Sequence, residues 1–375
     1  MRIGFYHDGV GQRHGGGVGV YIRHLAVELS SGHVVTLFTG TGSETSDLVD
    51  AGVHVVEIGS AASNSGPLPW ATPSVSHLAK AACSGSRDVL DHLDRDVDLL
   101  VTFQDLDDLL VSHLVDVPTV RVFHSEFTPW PLSALRARVG RTDHHLATSP
   151  QVAYQITDQL GYEVDGIVSP GVDVDVFSPA AEPAFESQEP TVCFVGRVVE
   201  SNGIFDLIDA ISLLDEDVNL RIVGDGALDI ARRRADRRSV ADDVQFAGPV
   251  AHSAVPGYLG AADVCCHPSR APRFGLVNLE AMACATPVIA TGLADVLTYL
   301  QPGEHGLVVP RRSPESIANA LSVLLDDAER RTTMGRRGRR RAHEFTWYEQ
   351  AKRFASVCEC IQTEDESRSQ MSFAH

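Results

Sequence analysis

Short runs of consecutive apolar residues recur along the chain, and most are followed by stretches in which apolar residues return every three or four positions. Uninterrupted apolar runs bounded by turn residues are the mark of strands buried on both faces, and the longer period between them is that of helices lying on a sheet. The pattern predicts a first series of strands near residues 2–7, 34–39, 53–58, 98–103, 119–124, 144–148 and 166–169. A second series falls near 191–196, 219–223, 244–247, 263–267, 286–290 and 306–309. In the helix after the first strand of that second series, Ile204, Leu207, Ile208, Ile211 and Leu214 stand at helical spacing. Strands alternating with helices predict an α/β fold of two doubly wound, Rossmann-like parallel sheets with helices on both faces.

Between the two series the periodicity lapses into a Pro-, Glu- and Ser-bearing stretch that includes Phe177-Ser178-Pro179 and Ser187-Gln188-Glu189-Pro190. This divides the chain into a first domain over 1–170, a linker over 171–190 and a second domain over 191–345. A helix over 346–361 is expected to return to the first domain, and the polar residues 362–375 are expected to fray. At 375 residues the chain has the length of two ordinary domains. Two such sheets facing each other would form a cleft at the carboxyl ends of their strands, where small ligands bind.

Charge narrows the choice of partner. The formal net charge is −19, distributed as −13 up to Phe185 and −6 beyond it, which repels nucleic-acid backbones and anionic lipid wherever bases do not cluster. No nucleic-acid partner is expected. The bases are 29 arginines and only Lys80 and Lys352, an acidic, arginine-rich make-up that fits a halophilic, high-salt cytoplasm or a GC-rich genome. The cysteines number 7, lack any C-x-x-C pair and sit largely in apolar runs, as small buried hydrophobes of a reducing compartment do. With no signal-peptide pattern at Arg2-Ile3-Gly4-Phe5-Tyr6 and no apolar run of about 20 residues, a cytoplasmic location is expected. The aromatic and basic residues Phe127, Trp130, Leu132, Leu135, Arg136, Arg138 and Arg141 form either a core helix or a peripheral contact with the inner membrane face.

Several stretches could carry chemistry. After the first strand comes His14-Gly15-Gly16-Gly17-Val18-Gly19, with a helix expected from about Val20. Glycines there either make a flexible turn or let backbone N–H groups approach an anion. The G-x-G-x-x-G spacing is absent and no acid ends the second strand, so a nicotinamide cofactor is disfavoured, and no cofactor is expected. Arg197 follows Phe194-Val195-Gly196 at a strand end and suits a diphosphate, or equally a surface pair with Glu200. Asp105 with Asp107, and Asp173 with Asp175, mimic a metal-binding D-x-D, but the first reads more simply as a helix cap and the second as part of the linker. No metal site is expected. Arg336, Arg337, Arg339, Arg340 and Arg341 read as a solvated face at a helix C-terminus.

The stretch Pro268-Ser269-Arg270-Ala271-Pro272-Arg273-Phe274-Gly275-Leu276-Val277-Asn278-Leu279-Glu280-Ala281-Met282-Ala283 resembles the P-S-x-x-E-x-F-G-L-x-x-x-E-A-M-A of the GT-B retaining glycosyltransferases of family 4. The resemblance extends over nearly the whole chain. It includes Gly15 and Gly17 with Tyr21, His124 after a strand, Gly171-Val172-Asp173 with Phe177 and Pro179, and Val195-Gly196-Arg197. It continues through Val223-Gly224-Asp225-Gly226, Phe246-Ala247-Gly248, Pro287-Val288-Ile289-Ala290 and Gly306-Leu307-Val308-Val309-Pro310.

The resemblance implies a GT-B fold and a metal-free glycosyltransferase that moves a sugar from a nucleotide-diphosphate donor to a glycan or lipid-linked acceptor, with retention. It implies that Glu280 accepts hydrogen bonds from the donor ribose, and that Phe274, Gly275 and Leu276 present backbone amides to the donor sugar and diphosphate. Arg197 would meet the leaving diphosphate, Gly16 and Gly17 would lie under it, and His124 would stand near the reacting sugar. Three positions depart from the family: its lysine is Asn202, the first glutamate of its E-x7-E pair is Pro272, and its Gly-Gly loop is Gly292-Leu293-Ala294-Asp295. Arg273, next to Phe274, is the candidate to replace the lysine's charge on the donor. The alternatives are a non-catalytic paralogue that keeps the fold as a binding or regulatory partner, and a nucleotide-sugar epimerase.

Overall fold

The computed structural model describes residues 1–7, 10, 16–40, 45–58, 93, 95–103, 111–112, 115–124, 143–272 and 274–372. The apolar runs form strands where the pattern places them. In the first series these are β1 (Arg2–Tyr6), β2 (Val34–Gly40), β3 (His54–Ile58), β4 (Leu99–Thr102), β5 (Thr119–Phe123), β6 (His144–Ala147) and β7 (Gly166–Ile167). The second series comprises β8 (Thr191–Val195), β9 (Asn219–Val223), β10 (Val244–Gly248), β11 (Val264–His267), β12 (Val288–Thr291) and β13 (Gly306–Val309). The helices are α1 (Gly16–Ser30), α2 (Ser46–Asp50), α3 (Pro150–Gln155), α4 (Ile204–Ile211) and α5 (Leu228–Arg238). They continue as α6 (Val255–Ala261), α7 (Leu276–Ala283), α8 (Pro314–Leu325), α9 (Ala328–Ala342) and α10 (Trp347–Ser372).

The strands pair in parallel into a seven-stranded sheet of order β3-β2-β1-β4-β5-β6-β7 and a six-stranded sheet of order β10-β9-β8-β11-β12-β13. In each, the order reverses beside the first strand of the series, between β1 and β4 and between β8 and β11. Loops leaving the carboxyl ends on either side of such a reversal diverge and open a crevice.

The second sheet shows why its strands read as apolar throughout. Val192, Phe194, Leu220, Ile222, Val264, Cys266 and Ile289 belong to one core with α4, α5 and α8. Their neighbours Cys193, Val223, Cys265, Val288 and Ala290 belong to another with α6 and α7. Successive side chains alternate between two covered faces, so most positions are apolar, and each fully buried large side chain contributes about 1.5–3 kcal/mol. The cysteines take part as small apolar groups; burial pushes the Cys193 thiol up to about 12.

The chain divides into two compact units, Met1–Ser169 with Trp347–His375, and Pro170–Thr346. Residues 171–190, expected as a linker, therefore lie within the second unit. Val172 and Phe177 are buried in its core, and the Val172 N–H donates to the Phe345 carbonyl at 2.9 Å. In the first unit, the Phe354 ring of α10 stacks on Phe5 of β1 with centroids 5.8 Å apart. Trp347 stacks on His24 of α1 at 4.6 Å. The backbone of α10 stays helical to Ser372, well past the expected end at residue 361. Among the described residues no helix is long and apolar enough to cross a membrane, and the aromatic and basic segment between Phe127 and Arg141 lies outside the described residues.

Candidate functional site

In the second unit the candidate residues gather at the carboxyl edge of the sheet, around the reversal between β8 and β11. Strand β8 ends at Val195 and is followed by Gly196 and the exposed Arg197. Arg197 does not pair with Glu200: that carboxylate takes Nη1 of Arg270, and Arg270 also binds Asp206 through Nε at 2.7 Å. Arg270 is thus a structural ion-pair residue with both its acids inside the unit. Arg273, the other candidate cation, lies outside the described residues.

Asn202, where the family carries lysine, is 5% exposed. Its Nδ2 donates to the Arg197 carbonyl at 2.9 Å, and its Oδ1 is buried with no hydrogen-bond partner. The side chain therefore braces the turn that carries Arg197 and presents no charge to a ligand. The next residue, Gly203, has φ of +76° and opens α4. A Cβ there would sit 1.9 Å from the Pro268 carbonyl oxygen, so only glycine lets the loops after β8 and β11 close on each other. His267, at the end of β11, stacks on Phe194 with centroids 5.2 Å apart.

Helix α7 begins after Gly275, whose φ is +74°. The buried Tyr299 hydroxyl donates to the carbonyls of Phe274 at 2.7 Å and Gly275 at 3.1 Å, and accepts from Nδ2 of Asn278 at 3.0 Å. Burial raises the Tyr299 phenol far above its ordinary range, so the proton stays in place to donate. With their carbonyls held, Phe274 and Gly275 fix the first turn of α7, where backbone N–H groups without helical acceptors favour an anion.

Glu280 lies on this helix and is 9% exposed, not on a solvated face. Its Oε1 stands 2.9 Å from Nε2 of His252, a residue that no sequence motif marks. The imidazole packs edge-on to Phe177 at 5.2 Å and is itself exposed. The hydrogen bond to Glu280 raises the His252 pKa above 6.5, against the opposing effect of burial. A raised folded-state pKa stabilises the fold fully below the unfolded value, and that stabilisation is lost as pH rises through the folded value. Urea denaturation of wild type and His252→Gln should therefore differ at pH 5.5 and converge by pH 8.5, with a small gap because the ring is largely solvated. A gap that widens with pH would reverse the sign.

In the first unit, His7, Phe103 and His124 follow β1, β4 and β5, again at carboxyl ends beside the reversal. Phe103 packs on His7 at 5.8 Å and on His124 at 5.4 Å, and Tyr21 of α1 meets His124 edge-on at 4.5 Å. Burial, with a smaller effect from His7, pushes His124 down to about 3. His124 is therefore a neutral imidazole near pH 7, able to exchange hydrogen bonds with a hydroxyl and unsuited to serve as a cation. Gly16 and Gly17 are the first residues of α1. They lie in its first turn instead of in a loop ahead of a helix starting near Val20, and Gly15 is outside the described residues.

The look-alike motifs resolve by geometry where they are described. Oδ1 of Asp173 accepts the N–H groups of Asp175 and Val176, each at 3.0 Å, so this pair shapes a turn. Asp105 and Asp107 lie outside the described residues. Of the arginine run on α9, Arg339 donates to the Ala283 carbonyl, and Arg341 to the carbonyls of Tyr299 and Thr298. Those two tie the helix to its unit, in contrast to the fully solvated face expected; Arg336, Arg337 and Arg340 are exposed.

Residues 15–176 match the model of Glycosyltransferase Family 4, and residues 179–341 match that of Glycosyl transferases group 1. The D-inositol 3-phosphate glycosyltransferase of Corynebacterium glutamicum is 35% identical over 51% of this chain and 50% of its own length. That of Kineococcus radiotolerans is 30% identical over 88% of this chain and 87% of its own. Across the Corynebacterium, Jonesia and Paenarthrobacter proteins of that name, the chain spans 50%, 60% and 53% of the relative's length. Among solved structures, Anabaena HepE in complex with UDP and glucose superposes with a TM-score of 0.76 at 19% identity, covering 96% of this chain and 99% of that one. That likeness bears on the fold, which is GT-B. With its two halves matched by the two family models in order, the chain belongs to the GT-B glycosyltransferases of family 4, group 1.

Proposed function

We propose that this protein transfers a sugar, with retention and without a metal, from a nucleotide-diphosphate donor to a glycan or lipid-linked acceptor. The observation that carries the reading is Glu280: a carboxylate nine-tenths buried on a helix whose first turn is pinned by Tyr299. A sheltered carboxylate on a helix whose first turn can meet an anion suits a nucleoside diphosphate, whose ribose hydroxyls donate hydrogen bonds and whose phosphates accept them. The UDP held by HepE, a protein of the same fold, supports the donor class.

In this reading Arg197 and the first turn of α7 stabilise the departing diphosphate electrostatically. Arg273 adds the charge that Asn202 lacks. In the first unit, neutral His124 is suited to exchange hydrogen bonds with a sugar hydroxyl. The bond from the anomeric carbon to the phosphate oxygen breaks, the acceptor oxygen bonds on the same face, and its proton passes to the leaving phosphate. A second reading, the non-catalytic binding partner, draws on Asn202 being committed to the Arg197 turn and on Pro272, whose side chain cannot hydrogen-bond a sugar.

Mass spectrometry of the purified protein with UDP-, GDP-, ADP- and TDP-sugars, scoring both binding and sugar loss, separates the two readings. The acceptors should include D-inositol 3-phosphate, for which the relatives are named. One donor is expected to lose its sugar, equally with EDTA present. Donor binding without transfer favours the second reading; activity lost with EDTA and restored by Mn2+ overturns metal independence.

A further inference from the structure

We propose that a cavity at the C-terminal end of α9 is a binding site for a small phosphate-bearing ligand. The cavity, about 660 Å3, lies within the second unit, between the segment that follows β12 and the last turns of α9. That is the size of a site for a small organic molecule. Its cations are Arg337, Arg340 and Arg341, three and four positions apart and hence on one side of the helix.

Arg341 forms a fixed part of the wall. Its Nε lies 3.2 Å from the Tyr299 carbonyl and its Nη2 2.9 Å from that of Thr298, while Nη1 pairs with Glu344. Arg337 and Arg340 are exposed and make no hydrogen bond or ion pair among the described residues. The chain holds 50 acids and 31 bases, so carboxylates are in surplus, yet these two guanidiniums are left open. The remaining acid of the lining is Glu304.

His305 completes the polar lining. Its Nδ1 accepts from the Gln301 N–H at 3.2 Å, which puts the proton of a neutral ring on Nε2, and the ring also interacts with the Tyr299 backbone. Burial and the nearby Arg341 hold its pKa below the ordinary 6.5. Counting the lining side chains, three arginines face Glu304 and Glu344, and the cavity is net cationic in a chain of net charge −19. Forked guanidiniums match the oxygens of a phosphate better than a point charge does. Leu297, 46% exposed, and Pro302 offer an apolar wall to the rest of the ligand.

Glucose 6-phosphate serves as the free probe. Phosphatidylcholine vesicles with and without phosphatidic acid test whether the phosphate comes from a lipid headgroup. Titration of the full chain is followed by calorimetry and by the His305 ring resonances, assigned with His305→Gln. Saturable binding is expected, with a shift at His305, a loss of at least about tenfold in the Arg337→Ser/Arg340→Ser variant and partial recovery in Arg337→Lys/Arg340→Lys. Arg197→Ser should bind the probe as wild type does, which separates this site from the donor diphosphate. Binding confined to phosphatidic acid vesicles, with the same arginine dependence, assigns the lipid source. Unchanged affinity in the double serine variant, or no saturable binding to either probe, overturns the proposal.

Discussion

Replacing Glu280 with alanine is expected to weaken binding of the nucleotide-sugar donor by about ten- to a hundredfold, since a hydrogen bond to a charged group contributes about 1.5–3 kcal/mol. The carboxylate is buried on α7, and the contact to His252 occupies one oxygen. An ionised carboxyl can accept several hydrogen bonds, so Oε2 remains for a ribose. Glu280→Gln keeps the shape but gives up the charge and one acceptor, and should fall between alanine and wild type. Calorimetry with whichever nucleotide sugar binds the wild type decides the matter. An alanine variant with wild-type affinity for that donor would remove Glu280 from the site and leave the His252 contact as its only role.

The largest expected effect on stability belongs to Arg270. Its guanidinium holds the Asp206 carboxylate, whose side chain is 6% exposed, and is itself 16% exposed. Arg270→Met would leave that carboxylate buried and unpaired, a change that costs about 3–5 kcal/mol. The lower end is expected, because Asp206 sits in the first turn of α4, where the helix dipole favours an anion. Urea denaturation should show the midpoint falling accordingly, and Arg270→Met/Asp206→Leu should recover most of the loss. A single variant within about 0.5 kcal/mol of wild type would mean that the pair contributes no more than a surface ion pair does. Arg270 is committed to Asp206 and Glu200, so it is not the cation that would replace the family's lysine at Asn202.

The burial of Glu280 was legible from the sequence because Leu279, Ala281 and Met282 surround it. His252 was not. It stands 28 positions away in a single 3-10 turn, and no spacing rule links a histidine there to a glutamate on another helix. Arg197 raised the same difficulty in reverse: Glu200 lies three residues on and is a reasonable partner by proximity, but Arg270, 70 positions away, takes it. Asn202 could be read as a missing charge, while its bond to the Arg197 carbonyl could not be foreseen, since any nearby backbone group can accept from an amide.

By itself the sequence determined the α/β class, the thirteen strands found in the described residues and the family. Apolar period records which faces of an element are covered, and a parallel strand covered on both faces leaves an unbroken run. Glycine marks places where backbones must approach, as at Gly203 against Pro268. The tertiary structure alone decided partners: the order of strands, the return of α10 to β1 through Phe354 and Phe5, the meeting of His7, Phe103 and His124 at three strand ends, and the matching of arginines to acids. The physical reason is that burial is encoded locally, residue by residue, whereas a charge or a hydrogen-bonding group has many partners of similar energy along the chain. Only the packing of the two covered faces selects which of them comes within 3 Å.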